Sequence, residues 1–223
     1  MDWSPILISM RTAGLSIVFT FFMGILAAWM AVRISHPLVK TILDGIFTIP
    51  LVLPPTVAGF FLLYVFGVKR PVGQFFLEYF SIKIAFSWGA TVLAAVVMSF
   101  PLMYRSARGA FEQVDDTLVQ AARTLGMGEW TIFRKVLLAN AVPGVVSGGV
   151  LAFARGLGEF GATAMIAGNI AGKTRTLPMA VYSEGAAGNM EAAYLYVAII
   201  VVIAFLSVFL MNGVMWYSQK KSR

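Results

Sequence analysis

Uncharged stretches long enough to cross a lipid bilayer govern what this chain can fold into. Residues 12–32, 45–68, 84–104 and 192–219 contain no Asp, Glu, Lys or Arg, and residues 136–154 continue past Arg155 and Glu159 towards Asn169. Each runs for about 19 to 28 residues. At about 1.5 Å of rise per residue, a helix of that length spans a hydrocarbon layer of roughly 30 Å. An unpaired charge at the bilayer centre costs at least ~2.5–3.5 kcal/mol, so freedom from charge marks a crossing. Composition agrees, with 59% hydrophobic and 12% charged residues against about 25% charged in soluble domains. The expected fold is all-α, a polytopic transmembrane bundle of about five spans forming one domain over residues 1–223. Residues 1–10 carry only Asp2 as a charge and lack a basic leader segment, so the first stretch reads as a retained span.

With no cysteine and one histidine, disulfide, thiol, zinc and haem chemistry are set aside. His36 reads as a surface residue, and the methionines as apolar filler. The net charge of +7 fits cytoplasmic loops of a membrane protein better than a nucleic-acid surface. Five spans place the termini on opposite sides. With the C-terminus inside, about ten Lys and Arg, from Arg33 and Lys40 through the interval 105–135 to Lys220, Lys221 and Arg223, face the cytoplasm. About six, including Arg11, Lys69, Arg70 and Lys173, face outward. The expected orientation is N-terminus out and C-terminus in.

The polar interval 105–135 is then cytoplasmic and the place for a soluble partner. Asp115 or Asp116 can cap a short helix through Arg123, and Gly126 and Gly128 can end it. Residues 130–138 read as a helix lying at the interface. Gln120, Ala121, Ala122 and Gly126 give a small-faced turn that is either a docking surface or an ordinary connection.

Two intramembrane features stand out. Pro50, Pro54 and Pro55, followed by Thr56, interrupt the second stretch; broken backbone at that depth is tolerated only against protein or a watery cavity, although proline also merely kinks packed helices. Arg155 and Glu159 are four apart and can share a helix face. Either Arg155 lends positive potential to an anion pathway, or the two neutralise each other or bridge a dimer. The glycines 144, 148, 149, 156, 158 and 161 permit close helix approach. Residues 168–174, G-N-I-A-G-K-T, mimic a nucleotide-binding loop, but Ala167 occupies the position where its first glycine is needed, and the flanks are a membrane span and Pro178. ATP binding by this chain is rejected, and no metal or catalytic cluster is found, so the chain is not expected to be an enzyme.

The run Gln120-Ala121-Ala122-Arg123-Thr124-Leu125-Gly126, with Val136 and Leu138-Ala139 after it, resembles the E-A-A-x3-G-x9-I-x-L-P coupling loop of binding-protein-dependent ABC importer permeases. Gln120 replaces the Glu, Val136 the Ile and Ala139 the Pro. The runs L-V-L-P-P-T-V-A-G (51–59), M-S-F-P-L-M (98–103) and L-A-F-A-R-G-L-G-E-F-G-A (151–162) are similar to those of molybdate permeases, the oxyanion branch. The resemblance covers about residues 24–178. It implies a type I ABC importer permease fold, a homodimer, two cytoplasmic ABC ATPase subunits, an extracytoplasmic binding protein delivering molybdate or tungstate, and no cofactor in this chain. It also implies coupling to the ATPase through Gln120, Ala121, Ala122 and Gly126; the intramembrane reading above adds Pro54, Pro55, Thr56, Arg155 and Glu159 as candidates for the pathway or gate. The rival readings are a sulfate or thiosulfate permease of the same architecture, a stand-alone secondary anion transporter, for which no internal repeat is seen, and a membrane enzyme, for which no catalytic group can be assembled.

Overall fold

The computed structural model describes residues 2–221, which places Arg223 outside it, and among the described residues there is no strand. Helix α1 (Ser4–Arg33) is followed by α2 (Pro37–Val52), α3 (Pro55–Phe66) and the short α4 (Pro71–Phe80). Next come α5 (Trp88–Glu112), α6 (Asp116–Thr124) and the single turn α7 (Glu129–Ile132), which passes through a π-helical turn at Phe133–Leu137 into α8 (Leu138–Leu157). The chain ends with α9 (Gly161–Ile166), α10 (Leu177–Ala186) and α11 (Met190–Lys221). Proline stands in the first turn of α1, α2, α3, α4 and α10, where its fixed φ suits a helix and its missing N–H leaves no bond unmade.

Among the described residues, four rods are long and apolar enough to cross a membrane: α1, α5, Glu129–Leu157 and Met190–Leu210. A fifth is the pair α2 and α3, bent by 110° at Leu53-Pro54. The helix α2 runs straight through Pro50, so the break falls to the double proline. Residues 130–138 do not form a separate interfacial helix. The π turn keeps the backbone bonded, with the Leu138 N–H donating to the Phe133 carbonyl, and these residues begin the fourth rod.

Two buried hydroxyl pairs set the direction of the core helices. Thr12 meets Thr91 at 2.9 Å and Thr20 meets Ser99 at 3.0 Å, both at a separation of 79 residues. A constant difference in residue number is the mark of parallel helices, so α1 and α5 run the same way. Helix α8 runs against them, its Gly144 facing Ala110, Gly148 facing Ser106 and Gly156 facing Ala95 and Ser16. A Cβ at Gly148 would lie 2.6 Å from that of Ser106, so the glycines bring backbones close, as small residues do in lipid. Helix α11 runs with α1: the Tyr196 hydroxyl donates to the Asp2 carbonyl at 2.8 Å, and Ser207 and Leu210 share a groove with Ile17 and Phe21. The described chain therefore starts at one end of the bundle and finishes at the other, as an odd number of crossings requires. Arg33, Glu112 and α6 lie at the second end, called the loop end below.

Helix α8 stops part-way. Gly156 packs on Ser16, about 18 Å along α1 from its start at 1.5 Å per residue. The chain then turns, and α9 continues towards the first end, where the Phe86 N–H donates to the Ile166 carbonyl at 2.9 Å. The fourth crossing is thus broken, and Glu159 stands beyond the end of the helix that carries Arg155.

Candidate functional site

The two breaks meet inside the bundle. A Cβ at Gly161 would lie 2.8 Å from that of Pro55 and 3.1 Å from the Thr56 nitrogen, and one at Gly59 would lie 2.6 Å from the Ala162 Cα. Backbone therefore touches backbone where α3 begins and α9 begins, and glycine is required on both sides. Pro54, Pro55 and Thr56 keep their side chains exposed. Glu159 turns inward, its side chain 1% exposed, and its Oε1 accepts a hydrogen bond from the Ala162 N–H at 2.8 Å, tying down the first turn of α9. Its Oε2 lies 2.6 Å from Nη1 of Arg155, whose side chain is 27% exposed. This is an ion pair by distance, but its angles make no hydrogen bond, and Oε2 has no other partner. The pair closes across the end of α8 rather than along a helix face, and it neutralises Arg155 locally.

The second assembly is the loop end. The Asp115 carboxylate accepts from the Thr117 N–H at 2.9 Å and starts α6; that bond holds its carboxyl below the usual carboxylate range. Helix α6 ends in a Schellman turn. Gly126 adopts φ +72, its N–H donates to the Arg123 carbonyl at 2.9 Å, and the Met127 N–H donates to the Ala122 carbonyl at 3.1 Å. The left-handed φ is what makes this position a glycine. Ala122 is buried, whereas Gln120 and Ala121 face outward. Leu118, Leu125 and Trp130 are exposed large apolar side chains beside them.

This turn is fixed to the spans. Arg123 pairs with Glu129 at 2.9 Å, and Glu129 with Arg33 of α1 at 3.5 Å. Beneath them Trp29 of α1 lies 5.8 Å from Trp130 and 4.7 Å from Phe133, and Phe133 lies 6.0 Å from Phe111 of α5. The Arg33 guanidinium sits 4.9 Å over the Trp29 ring, a cation–π contact. The segment that follows α6 thus contacts α1, α5 and the base of the fourth rod together. About 26 Å of helix, at 1.5 Å per residue, separates Leu138 from Arg155, so the sequence-predicted coupling and pathway residues form two sites and not one.

One feature escaped the sequence reading. Asp44 of α2 accepts from the buried Tyr104 hydroxyl and pairs with Arg108, which also pairs with Glu112 at 2.9 Å, and Lys40 joins Glu112 at 2.9 Å. The four charges sum to zero and latch α2 to α5. The only local signal was Asp44 itself, standing just before an uncharged stretch. The nucleotide-loop mimic is a turn in which the Thr174 hydroxyl accepts from the Ile170 N–H and donates to the Gly168 carbonyl.

Comparison with known proteins follows the same lines. The family described as binding-protein-dependent transport system inner membrane component matches residues 20–222. The chain is 43% identical over 223 residues to the Escherichia coli (strain K12) molybdenum transport system permease protein ModB, covering 99% of this chain and 96% of that one. It is 42% identical to the Bacillus subtilis (strain 168) putative molybdenum transport system permease protein YvgM, covering 93% and 91%. The sulfate transport system permease protein CysT of Salmonella typhimurium stands at 33%, covering 92% and 73%. Among solved structures, the MetNI methionine ABC transporter in an inward-facing conformation matches with a TM-score of 0.73 at 18% identity, covering 96% of this chain and 94% of that one. At that identity the likeness is one of fold.

Proposed function

The chain belongs to the family of binding-protein-dependent transport system inner membrane components, and from that premise we infer that it is the permease subunit of an ATP-driven importer for molybdate or tungstate. Its fold is that of a type I ABC importer permease. Support for molybdate over sulfate is the higher identity to two permeases named for molybdenum transport than to one named for sulfate. The working unit is a homodimer of this chain with two cytoplasmic ABC ATPase subunits and an extracytoplasmic oxyanion-binding protein, set in membrane lipid with the N-terminus outside and the C-terminus inside. The chain contributes no ATPase site, and its cargo crosses without a cofactor.

The observation that carries the mechanism is the exposed α6 turn, joined through the Arg123–Glu129 pair to the segment after it, whose Trp130 and Phe133 rings pack on Trp29 of α1 and Phe111 of α5. An ATPase gripping Gln120, Ala121 and the Ala122–Gly126 turn has a firm handle. When ATP draws the two ATPase subunits together, the two α6 turns follow, and α1, α5 and α8 tilt with them. The bundle yields at the breaks beside Pro54, Pro55, Thr56 and Glu159, where glycine contacts let α3 and α9 slide. Alternating access results, with free energy supplied by the partner. Isolation of the complex tests this reading. The ATPase subunit should co-purify with the wild-type chain and be lost when Ala122 is replaced by Arg, and proteoliposomes of the complete complex should take up molybdate only with ATP. Uptake by this chain alone, without nucleotide, would restore the secondary-transporter reading.

A further inference from the structure

We propose that Arg105, rather than Arg155, is the cation that draws the oxyanion through the inner half of the pathway, a proposal that rests on the permease reading above. Helix α5 does not end where the charged interval of the sequence begins; it continues through Arg105 and Arg108 to Glu112. Arg105 thus lies about 10 Å before the end of the rod, at 1.5 Å per residue. Its neighbour in sequence, Arg108, is spent on Asp44 and Glu112, and Arg155 is spent on Glu159. Among the described residues, no carboxylate comes within ion-pair distance of Arg105.

The surface around it is unlike the rest of the bundle. Helix α1 exposes Phe19, Phe22 and Leu26, whereas α5 exposes no large apolar side chain along its length. What α5 does expose is Gly89 and Glu112 near its ends and Arg105 between them. Beside Arg105 a cleft of about 710 Å³ opens between α5 and α8, lined by Ser106, Gln113, Asn140, Gly144 and Ser147. The Ser106 hydroxyl already donates to the Gly144 carbonyl at 3.0 Å. Asp115 also lines the cleft, with the apolar Val114 and Leu118 at the same end, and one of its carboxylate oxygens accepts from the Thr117 N–H. An unpaired guanidinium beside hydroxyls and amides, with small residues on the facing helix, makes this part of the cleft a surface for water and a passing anion. A guanidinium suits a tetrahedral oxyanion because it offers several N–H donors in one plane.

Two sources share that chemistry, the cargo and the phosphate of a lipid headgroup, and the experiment separates them. The chain has no native cysteine, so Ser147→Cys in the complete complex gives a single thiol in this subunit beside Arg105. Its reaction with small water-soluble methanethiosulfonates is compared for an anionic sulfonate and a cationic ammonium reagent, in vesicles of zwitterionic lipid and of zwitterionic plus anionic lipid. The anionic reagent should be favoured, and adding Arg105→Gln should lower that preference about fivefold, the effect of one unit charge at close range in a water-filled cleft, felt with opposite sign by the two reagents. Arg105→Lys should keep it, and molybdate should slow the labelling in both lipids. In parallel, Arg105→Gln should slow ATP-driven molybdate uptake about tenfold while the ATPase still co-purifies. A preference unchanged by Arg105→Gln, a thiol closed to both reagents, or protection that follows anionic lipid and not molybdate would overturn the assignment. Failure of the wild-type complex to take up molybdate would instead count against the permease reading, because the reagent preference does not depend on the cargo's identity.

Discussion

The loop end and the mid-depth breaks are built from opposite materials. At the loop end, rings stack at 4.7–6.0 Å and ion pairs join α6, α7 and α1. At the breaks there are prolines, glycines and bare backbone contact, with one inward carboxylate holding α9 in place. Stiff contacts transmit displacement, and thin ones allow it, because interlocking side chains have few alternative packings. The contrast teaches that the firmly packed end and the thinly packed breaks are separate places in this chain, joined by the long rods between them, which is what the proposed handle and gate require.

Substitutions at matched positions sharpen the contrast. The largest effect is expected from Gly59→Ala. Its new methyl would sit 2.6 Å from the Ala162 Cα, and backbone on both sides cannot step away, so a loss of about 2–4 kcal/mol in stability follows. Thermal unfolding in detergent should fall clearly, and molybdate uptake should be abolished; wild-type behaviour would mean that the breaks are not in close contact.

Next in size is Glu159→Gln, which leaves a half-buried Arg155 without its partner, at a cost of about 2–3 kcal/mol. Replacing both Arg155 and Glu159 by Gln should recover most of that stability. If the pair only neutralises itself, Arg155→Gln will leave uptake unchanged at equal protein level, whereas a large fall would put Arg155 in the pathway. Trp29→Ala removes the ring that α1 adds to the stack and should cost about 2 kcal/mol, less than a fully buried aromatic. Its signature should be uncoupling, with the ATPase still bound and hydrolysing but uptake reduced severalfold.

Gly126→Ala is the smallest change. Space is free around that position, so only the left-handed backbone objects, at about 1 kcal/mol, and ATPase retention during purification should weaken modestly. Acid adds a weaker probe of the same turn. Because the Asp115 carboxyl is held below its usual range, its cap is fully present above the ordinary carboxylate value and lost as pH falls through the lowered one. ATPase retention should therefore be flat near neutrality and decline only in strong acid.

Much of this was legible in sequence for a physical reason: hydrocarbon excludes charge, so spans announce themselves, and Pro54-Pro55 removes two adjacent amide donors, so that break does too. The α6 turn was readable from Asp115 and Gly126 because caps and left-handed positions are local. The break after Leu157 was not, since Gly158, Glu159 and Phe160 contain no proline. The parallel pairing of α1 with α5 was hidden because it depends on Thr12, Thr20, Thr91 and Ser99 meeting across 79 residues. The Asp44 latch joins groups 60 and 72 residues apart, and no local pattern encodes such a meeting. Arg105 was counted with the loop charges because a charge ends a hydropathy stretch even where the helix carries on.

The most direct measurement places a single cysteine at Gln120 in this otherwise cysteine-free chain. A membrane-impermeant thiol reagent is added to intact cells, and a short bifunctional crosslinker to membranes opened on the cytoplasmic side. Protection in intact cells together with a crosslink to the ATPase subunit is the expected result. Labelling from outside, or a thiol that neither meets the reagent in opened membranes nor crosslinks, would contradict the assignment of α6 as the handle.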